Sequence, residues 1–223
     1  MLDQKGFDLW ADGYDKIVGL SDEEDRYPFA GYRRLLGRIY ETVLQTERPR
    51  VLDLGFGTGV LTSRLYAAGC RVFGQDFSAR MIELAREKMP EAVLVQGDFS
   101  AGLAPALREQ RYEFILSTYA MHHLDPAGQT ALIRELRDFL EPGGRLLIGD
   151  VAFESRAELE ACRNAAGEEW DEDESYFVFE ELKPVFPEMK FEKISACAGL
   201  MTLGSERSGA PETPPSAKDG RTT

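Results

Sequence analysis

Two periods of apolar residues alternate through the middle of the chain. Short apolar runs occur at residues 50–54, 71–75, 92–96, 112–117 and 145–149, and their length and β-branched or aromatic content predict strands buried on both faces. Between them, residues 60–68, 79–89, 105–110 and 127–140 place apolar side chains every three or four positions, the pattern of helices with one face on a core. Ser78 is placed to cap the second of these helices, and Pro142-Gly143-Gly144 to stop the fourth. Residues 191–203 read as two closing strands around Gly199, bringing the count to seven. Alternation of this kind predicts an α/β fold, a doubly wound and mostly parallel seven-stranded sheet.

Two segments flank this core. Phe7, Leu9, Trp10, Tyr14 and Ile17, then Tyr32, Leu35, Leu36, Ile39, Tyr40 and Val43, recur at helical spacing and predict an N-terminal helical lid over residues 1–46. Residues 151–203 add a helix near 158–162, a strongly acidic run over 168–174 and the closing strands. The acidic run reads as a solvated face, with a lid for a cationic or hydroxylated substrate as the other reading. From residue 204 to 223 the chain is rich in Ser, Pro, Gly, Lys, Glu and Thr with little to bury, and predicts a disordered tail.

The 223 residues suit one domain over 1–203, with no room for a separate substrate domain. A formal charge of −13 opposes the phosphate neutralisation that nucleic-acid binding requires. No apolar run reaches membrane-spanning length, and the first residues lack a basic segment ahead of an apolar one, so a cytoplasmic protein is expected. Cys70, Cys162 and Cys197 form no C-x-x-C pair, so they indicate neither a disulfide framework nor a zinc site and read as small buried hydrophobes.

The chemistry is concentrated in Val51-Leu-Asp-Leu-Gly-Phe-Gly-Thr-Gly59, a strand running into a glycine turn that opens a helix. Asp76 closes the next strand 21 residues after Gly55, where a carboxylate can bind the hydroxyls of a ribose. Dinucleotide sites use G-x-G-x-x-G, whereas here the pattern is D-x-G-x-G-x-G. Asp53 would repel a pyrophosphate but suits a ligand carrying an ammonium and a sulfonium, as S-adenosylmethionine does. Asp53, Asp76, Asp98 and Ser117 all fall at carboxyl ends of predicted strands, where such sheets bind ligands.

Five words in order resemble the class I S-adenosylmethionine-dependent methyltransferases: Asp53-Leu-Gly-Phe-Gly-Thr-Gly59, Gly74-Gln-Asp-Phe-Ser78, Gln96-Gly-Asp-Phe99, Phe114-Ile-Leu-Ser-Thr-Tyr119 and Leu140-Glu-Pro-Gly-Gly-Arg-Leu-Leu-Ile148. Trp10-Ala-Asp-Gly-Tyr-Asp15, Tyr119-Ala-Met-His-His-Leu124 and Val151-Ala-Phe-Glu154 look most like the small bacterial YrrT-like branch. The resemblance implies the Rossmann-like methyltransferase fold, S-adenosylmethionine as cofactor, S-adenosylhomocysteine as product and a small-molecule methyl acceptor. It implies that Asp53 and the backbone at Gly55 and Gly57 hold the amino-acid end of the cofactor, and Asp76 the ribose. Asp98 and Phe99 would take the adenine, Phe77 and Met81 would sandwich it, and Tyr14 would fold over the cofactor. Plainer roles stay open: helix capping for Asp76 and Asp98, core packing for Phe77, Met81 and Tyr14. His122 and His123, the only histidines, follow the fourth strand and are the catalytic candidates beside Tyr14. A base role competes there with a structural or substrate-shaping one, and the second is favoured. Displacement at a sulfonium needs positioning more than acid or metal help, so no metal is expected. A cofactor-binding sensor without turnover is the alternative function, and a monomer or homodimer is expected.

Overall fold

The computed structural model describes residues 26–205. Tyr14, the first part of the expected lid, and the tail beyond residue 205 lie outside them. Among the described residues eight strands form one sheet: β1 (Arg50–Leu54), β2 (Arg71–Asp76), β3 (Val93–Gln96), β4 (Tyr112–Thr118), β5 (Leu140–Phe153), β6 (Phe177–Val178), β7 (Lys190–Lys193) and β8 (Ala198–Gly204). Seven of them run in the order β3-β2-β1-β4-β5-β8-β7, and the two-residue β6 pairs with the end of β5. The pairs from β3 to β5 are parallel, while β8 is antiparallel to both β5 and β7.

The helices are α1 (Tyr32–Val43), α2 (Val60–Ala67), α3 (Ala79–Lys88), α4 (Pro126–Arg137), α5 (Arg156–Ala166) and the single turn α6 (Phe179–Leu182). Alternate strand residues sort them onto two faces. Val51, Phe114, Leu116 and Leu147 pack with Leu35, Leu61, Ile82 and Leu159 of α1, α2, α3 and α5. Leu52, Leu54, Ile115 and Ile148 pack with Leu132, Ile133 and Leu136 of α4 and Leu182 of α6. Burial on both faces is what a period-two backbone with apolar residues at every position requires.

Five expectations shift or sharpen. The Tyr32–Val43 helix, the described part of the expected lid, packs on β5 and β8 through fully buried Leu35, Ile39 and Val43 and also lines the cleft through Tyr32 and Leu36. The helix expected at 105–110 is one 3-10 turn, Pro105–Leu107, because Tyr112 already starts β4. The helix α4 ends at Arg137, ahead of Pro142-Gly143-Gly144, which instead lies within β5 where its register against β4 shifts. Gly199 sits inside β8 rather than between strands: a Cβ there would lie 2.3 Å from the Phe191 ring, so packing demands the glycine. Gly204, placed at the head of the tail, is the last residue of β8.

Candidate active site

The strand order reverses between β1 and β4, and the cleft opens there, beyond the carboxyl ends of the strands. Its floor is the turn after β1. Gly55, at φ +70°, passes so close to the next loop that a Cβ would lie 2.4 Å from that of Ala120. Gly57, at φ +55°, has open space where a Cβ would be and donates its N–H to Asp76 Oδ2 at 2.8 Å. Both need left-handed backbone, which glycine adopts without strain. Asp76 also accepts the Ser78 N–H at 2.9 Å through Oδ1, so it ties the glycine turn to the start of α3. The capping of α3 falls to Ser78, which accepts from Met81 N at 3.1 Å, as its sequence position predicts.

Asp53 is 1% exposed. Its Oδ2 accepts the Thr62 hydroxyl at 2.5 Å, and its Oδ1 is buried with no hydrogen-bond partner. Burial, against the Thr62 bond and reinforced by the Asp76 charge, pushes its carboxyl up to about 7. A buried carboxylate oxygen without a donor, at the floor of an open cleft, is matched by a ligand that brings a cation. The cofactor's ammonium is such a group, so the residues present fit S-adenosylmethionine.

The lining of the cleft, a cavity of about 260 Å³, includes Asp53, Gly55, Gly57, Asp76, Phe77, Met81, Asp98, Phe99, His122 and His123. Asp98 caps the 3-10 turn Phe99–Ala101 by accepting from Ser100 N at 2.8 Å while remaining on the cleft. The buried Gln75 side chain holds the following loop, donating to Gly102 O at 3.1 Å and accepting from Ala104 N at 2.8 Å. Ser117 is not brought in. It is wholly buried within β4, and the wall is made by the next two residues, Thr118 and Tyr119.

Tyr119 leaves β4 at φ +50°, a strained angle for a bulky residue, with its N–H on Gly149 O at 2.9 Å. That kink turns the chain into the 3-10 turn Met121–His123 and presents the Tyr119 ring to Phe29 and Tyr32, at centroid distances of 5.2 and 5.3 Å. The turn is clamped from behind. Ser175 N donates to His122 O at 2.8 Å, and the buried Gln129 amide donates to Met121 O at 3.2 Å and Ser175 O at 2.6 Å.

His122 Nδ1 lies 2.6 Å from Oδ1 of fully buried Asp150. Burial would lower the pKa of this imidazole, but the Asp150 charge and hydrogen bond, helped by Glu174, raise it above the ordinary value. His123 goes the other way, lowered to about 3 by burial and by the neighbouring His122 charge. Glu174 was not anticipated at the site: its side chain is 20% exposed while most of its acidic neighbours face solvent. It is drawn in by Tyr176, whose hydroxyl donates to Glu174 Oε2 at 2.7 Å, and by Trp170, stacked on Tyr27 at 5.0 Å. The Tyr27 and Tyr176 hydroxyls bond to each other, and Asp171 N donates to Tyr27. A Trp and a Tyr bracketing an acidic run was the sequence signal that such a segment is anchored.

The cysteines also need a correction. Cys70 and Cys197 are buried, but Cys162 is only partly so, and its thiol meets that of Cys197 although 35 residues separate them.

A doubly wound sheet with a left-handed glycine turn and an acidic residue at the ends of both β1 and β2 defines a cofactor-binding α/β enzyme fold. A family described as "Methyltransferase domain" matches residues 51–144. An uncharacterised methyltransferase of Geobacillus kaustophilus is 37% identical over 163 residues, which covers 73% of this chain and 71% of the relative. The structure of DhpI with S-adenosylhomocysteine superposes with a TM-score of 0.66 at 19% identity, covering 92% of this chain and 96% of the other. Magnesium protoporphyrin IX methyltransferase from Synechocystis PCC 6803, also with S-adenosylhomocysteine, gives a TM-score of 0.61 at 16% identity, covering 79% and 84%. The chain belongs to the class I S-adenosylmethionine-dependent methyltransferases, and S-adenosylmethionine is its cofactor. Among the described residues, no helix is long and apolar enough to cross a membrane.

Proposed function

We propose that this methyltransferase acts on a small-molecule acceptor that enters beside the cofactor and meets its methyl group between Tyr119 and the two histidines. The observation that carries the cofactor's placement is the buried, unpartnered Oδ1 of Asp53 in the wall of the cleft. It supports a placement with the amino-acid end of S-adenosylmethionine on Asp53 and the turn at Gly55 and Gly57. The ribose then falls to Asp76, and the adenine to Asp98 and Phe99 between Phe77 and Met81. Phe29, Tyr32, Tyr119 and Leu124 wall the remaining part of the cleft, an apolar enclosure suited to excluding water from the transfer.

Transfer forms a bond from the acceptor heteroatom to the methyl carbon as the carbon–sulfur bond breaks, and the cofactor leaves as a neutral thioether. The protein's part is to hold the reacting atoms in line. A net charge of −13 supports a small acceptor over a nucleic acid. The test is incubation with S-adenosylmethionine carrying a deuterated methyl group and a metabolite extract. Mass spectrometry should find the label in a small molecule together with S-adenosylhomocysteine. Label confined to macromolecules would refute the acceptor class.

A further inference from the structure

At the acceptor end of the cleft, three side chains converge that cofactor binding does not use. Oε1 of Glu174 lies 3.5 Å from His122 Nε2 and 3.7 Å from His123 Nδ1. The donor atoms of the three residues all fall within 4.8 Å of one another. Around a tetrahedral zinc with bonds near 2.0–2.1 Å, neighbouring donors stand about 3.3 Å apart. Small side-chain rotations therefore suffice to bring these three onto one ion.

Each group is also held from behind. Asp150 Oδ1 takes the Nδ1 side of His122, which leaves Nε2 turned toward Glu174. The Glu174 carboxylate uses its other oxygen to accept from Tyr176, and the backbone carrying both histidines is clamped by Ser175 and Gln129. A carboxylate behind a ligating imidazole fixes its tautomer and raises its basicity, and outer partners of this kind are half the design of a metal site.

We propose that His122, His123 and Glu174 form a site for a divalent first-row transition ion, with Asp150 orienting His122. Zinc suits this set of two imidazoles and one carboxylate best. Three protein ligands leave a coordination position open, and both histidines line the cleft. That position therefore faces the acceptor, where the ion lowers the pKa of a bound thiol or hydroxyl; its proton passes to bulk water before the methyl arrives, and the metal-stabilised anion is the nucleophile. The sulfonium needs no such help, so the ion's work lies on the acceptor alone. This last role rests on the methyltransferase reading above, whereas the binding of the ion does not.

The chain contains only two histidines, so histidine ligation in tag-free protein reports this site alone. Zn²⁺ is titrated by calorimetry and Co²⁺ by visible absorption, with S-adenosylhomocysteine affinity and thermal unfolding measured on every variant. One equivalent should bind, with d–d bands of a four- or five-coordinate nitrogen and oxygen site and no thiolate charge-transfer band. Glu174→Gln and His123→Asn should each weaken Zn²⁺ by about a hundredfold or more, and Asp150→Asn by about 10–100-fold. Glu172→Gln, on an exposed carboxylate paired with Arg163, should change nothing. Glu174→Gln keeps an acceptor for Tyr176, so it tests the site even if the Asp150 variant fails to fold. No saturable Zn²⁺ binding, or binding indifferent to Glu174→Gln in folded protein, overturns the proposal and leaves the three groups as an ion pair. Zinc bound as described in a protein that ignores S-adenosylhomocysteine would uphold the site and refute the cofactor placement instead.

Discussion

Replacing Asp53 by Asn should stabilise the unliganded protein above neutral pH while weakening its hold on the cofactor. The carboxyl is 1% exposed and burial pushes it from 3.8 up to about 7. A difference of three units corresponds to roughly 4 kcal/mol at about 1.4 kcal/mol per unit. The folded pKa lies above the unfolded one, so the folded state holds the proton over a range where the unfolded chain has lost it. The stabilisation is complete below the unfolded value, falls as pH rises, and is gone once pH passes the folded value. Above that, the empty protein carries a buried carboxylate that only a cation relieves. Asn cannot ionise and keeps an oxygen for the Thr62 hydroxyl. Its amide nitrogen, however, replaces the unpartnered oxygen and leaves a buried donor costing about 1–3 kcal/mol. The net gain at about pH 8 is therefore about 1–3 kcal/mol, and it should shrink or reverse at about pH 5. Urea denaturation at both values measures it. Calorimetry should show wild-type affinity for S-adenosylhomocysteine rising with pH across neutrality, and a weaker, flat profile for the variant, lower by about 1.5–3 kcal/mol at the alkaline end. An Asn variant less stable than wild type at the alkaline value, or a wild-type affinity indifferent to pH, would refute the reasoning.

Three further outcomes follow from the geometry. Asp76→Ala removes the acceptor of both Gly57 N–H and Ser78 N–H, so S-adenosylhomocysteine affinity by calorimetry should drop by about 2 kcal/mol or more, with the fold retained. Gly55→Ala places a methyl 2.4 Å from the Ala120 Cβ at a left-handed φ. Melting should fall accordingly, and adding Ala120→Gly should restore the part due to the clash but not the part due to φ, about 1 kcal/mol. Gln129→Leu leaves the carbonyls of Met121 and Ser175 without their side-chain donor. Stability should decline by about 1–3 kcal/mol, with hydrogen exchange quickening at residues 121–123 and 175 before it does so in β4.

The fold was legible because the strands of the parallel half are buried on both faces. Residues such as Val51, Leu52, Ile115 and Leu116 must all be apolar, and that leaves a continuous run in the sequence. Edges and turns carry weaker signals. The stop of α4 was misplaced because a Pro-Gly-Gly word breaks a helix and makes a bulge with equal ease, and only the pairing of β5 with β4 decides between them. Gly199 was read as a turn because the close approach of Phe191, the reason for the glycine, comes from the neighbouring strand.

The gathering of Asp53, Gly55, Gly57 and Asp76 at one cleft was legible for a similar reason: they occupy positions fixed by the strand ends that carry them. Ser117, at the end of β4, is buried beneath the wall that Thr118 and Tyr119 make, a depth that position along a strand does not reveal. The cluster of His122, His123 and Glu174 is built differently. His122 and Glu174 are 52 positions apart, the first on a single 3-10 turn and the second in a segment without regular structure of its own. They meet because Trp170 and Tyr176 bury their rings around Tyr27, and because Ser175 pairs its backbone with the His122 carbonyl. Local composition sees only an acidic run there, and by composition a solvated face is correct for most of its residues. Burial of a single carboxylate is a tertiary event, driven by aromatic neighbours rather than by the carboxylate itself. The placement of Glu174 beside the two histidines therefore depends on how residues 170–176 are anchored. Tyr27→Phe tests that dependence, since it removes the hydroxyl shared by Tyr176 and Asp171 N while keeping the ring under Trp170. It should loosen the segment, seen as faster proteolysis after Glu172 and Glu174, and leave affinity for S-adenosylhomocysteine unchanged. A loss of cofactor affinity equal to that of Asp76→Ala would show instead that the two halves of the cleft are one cooperative unit.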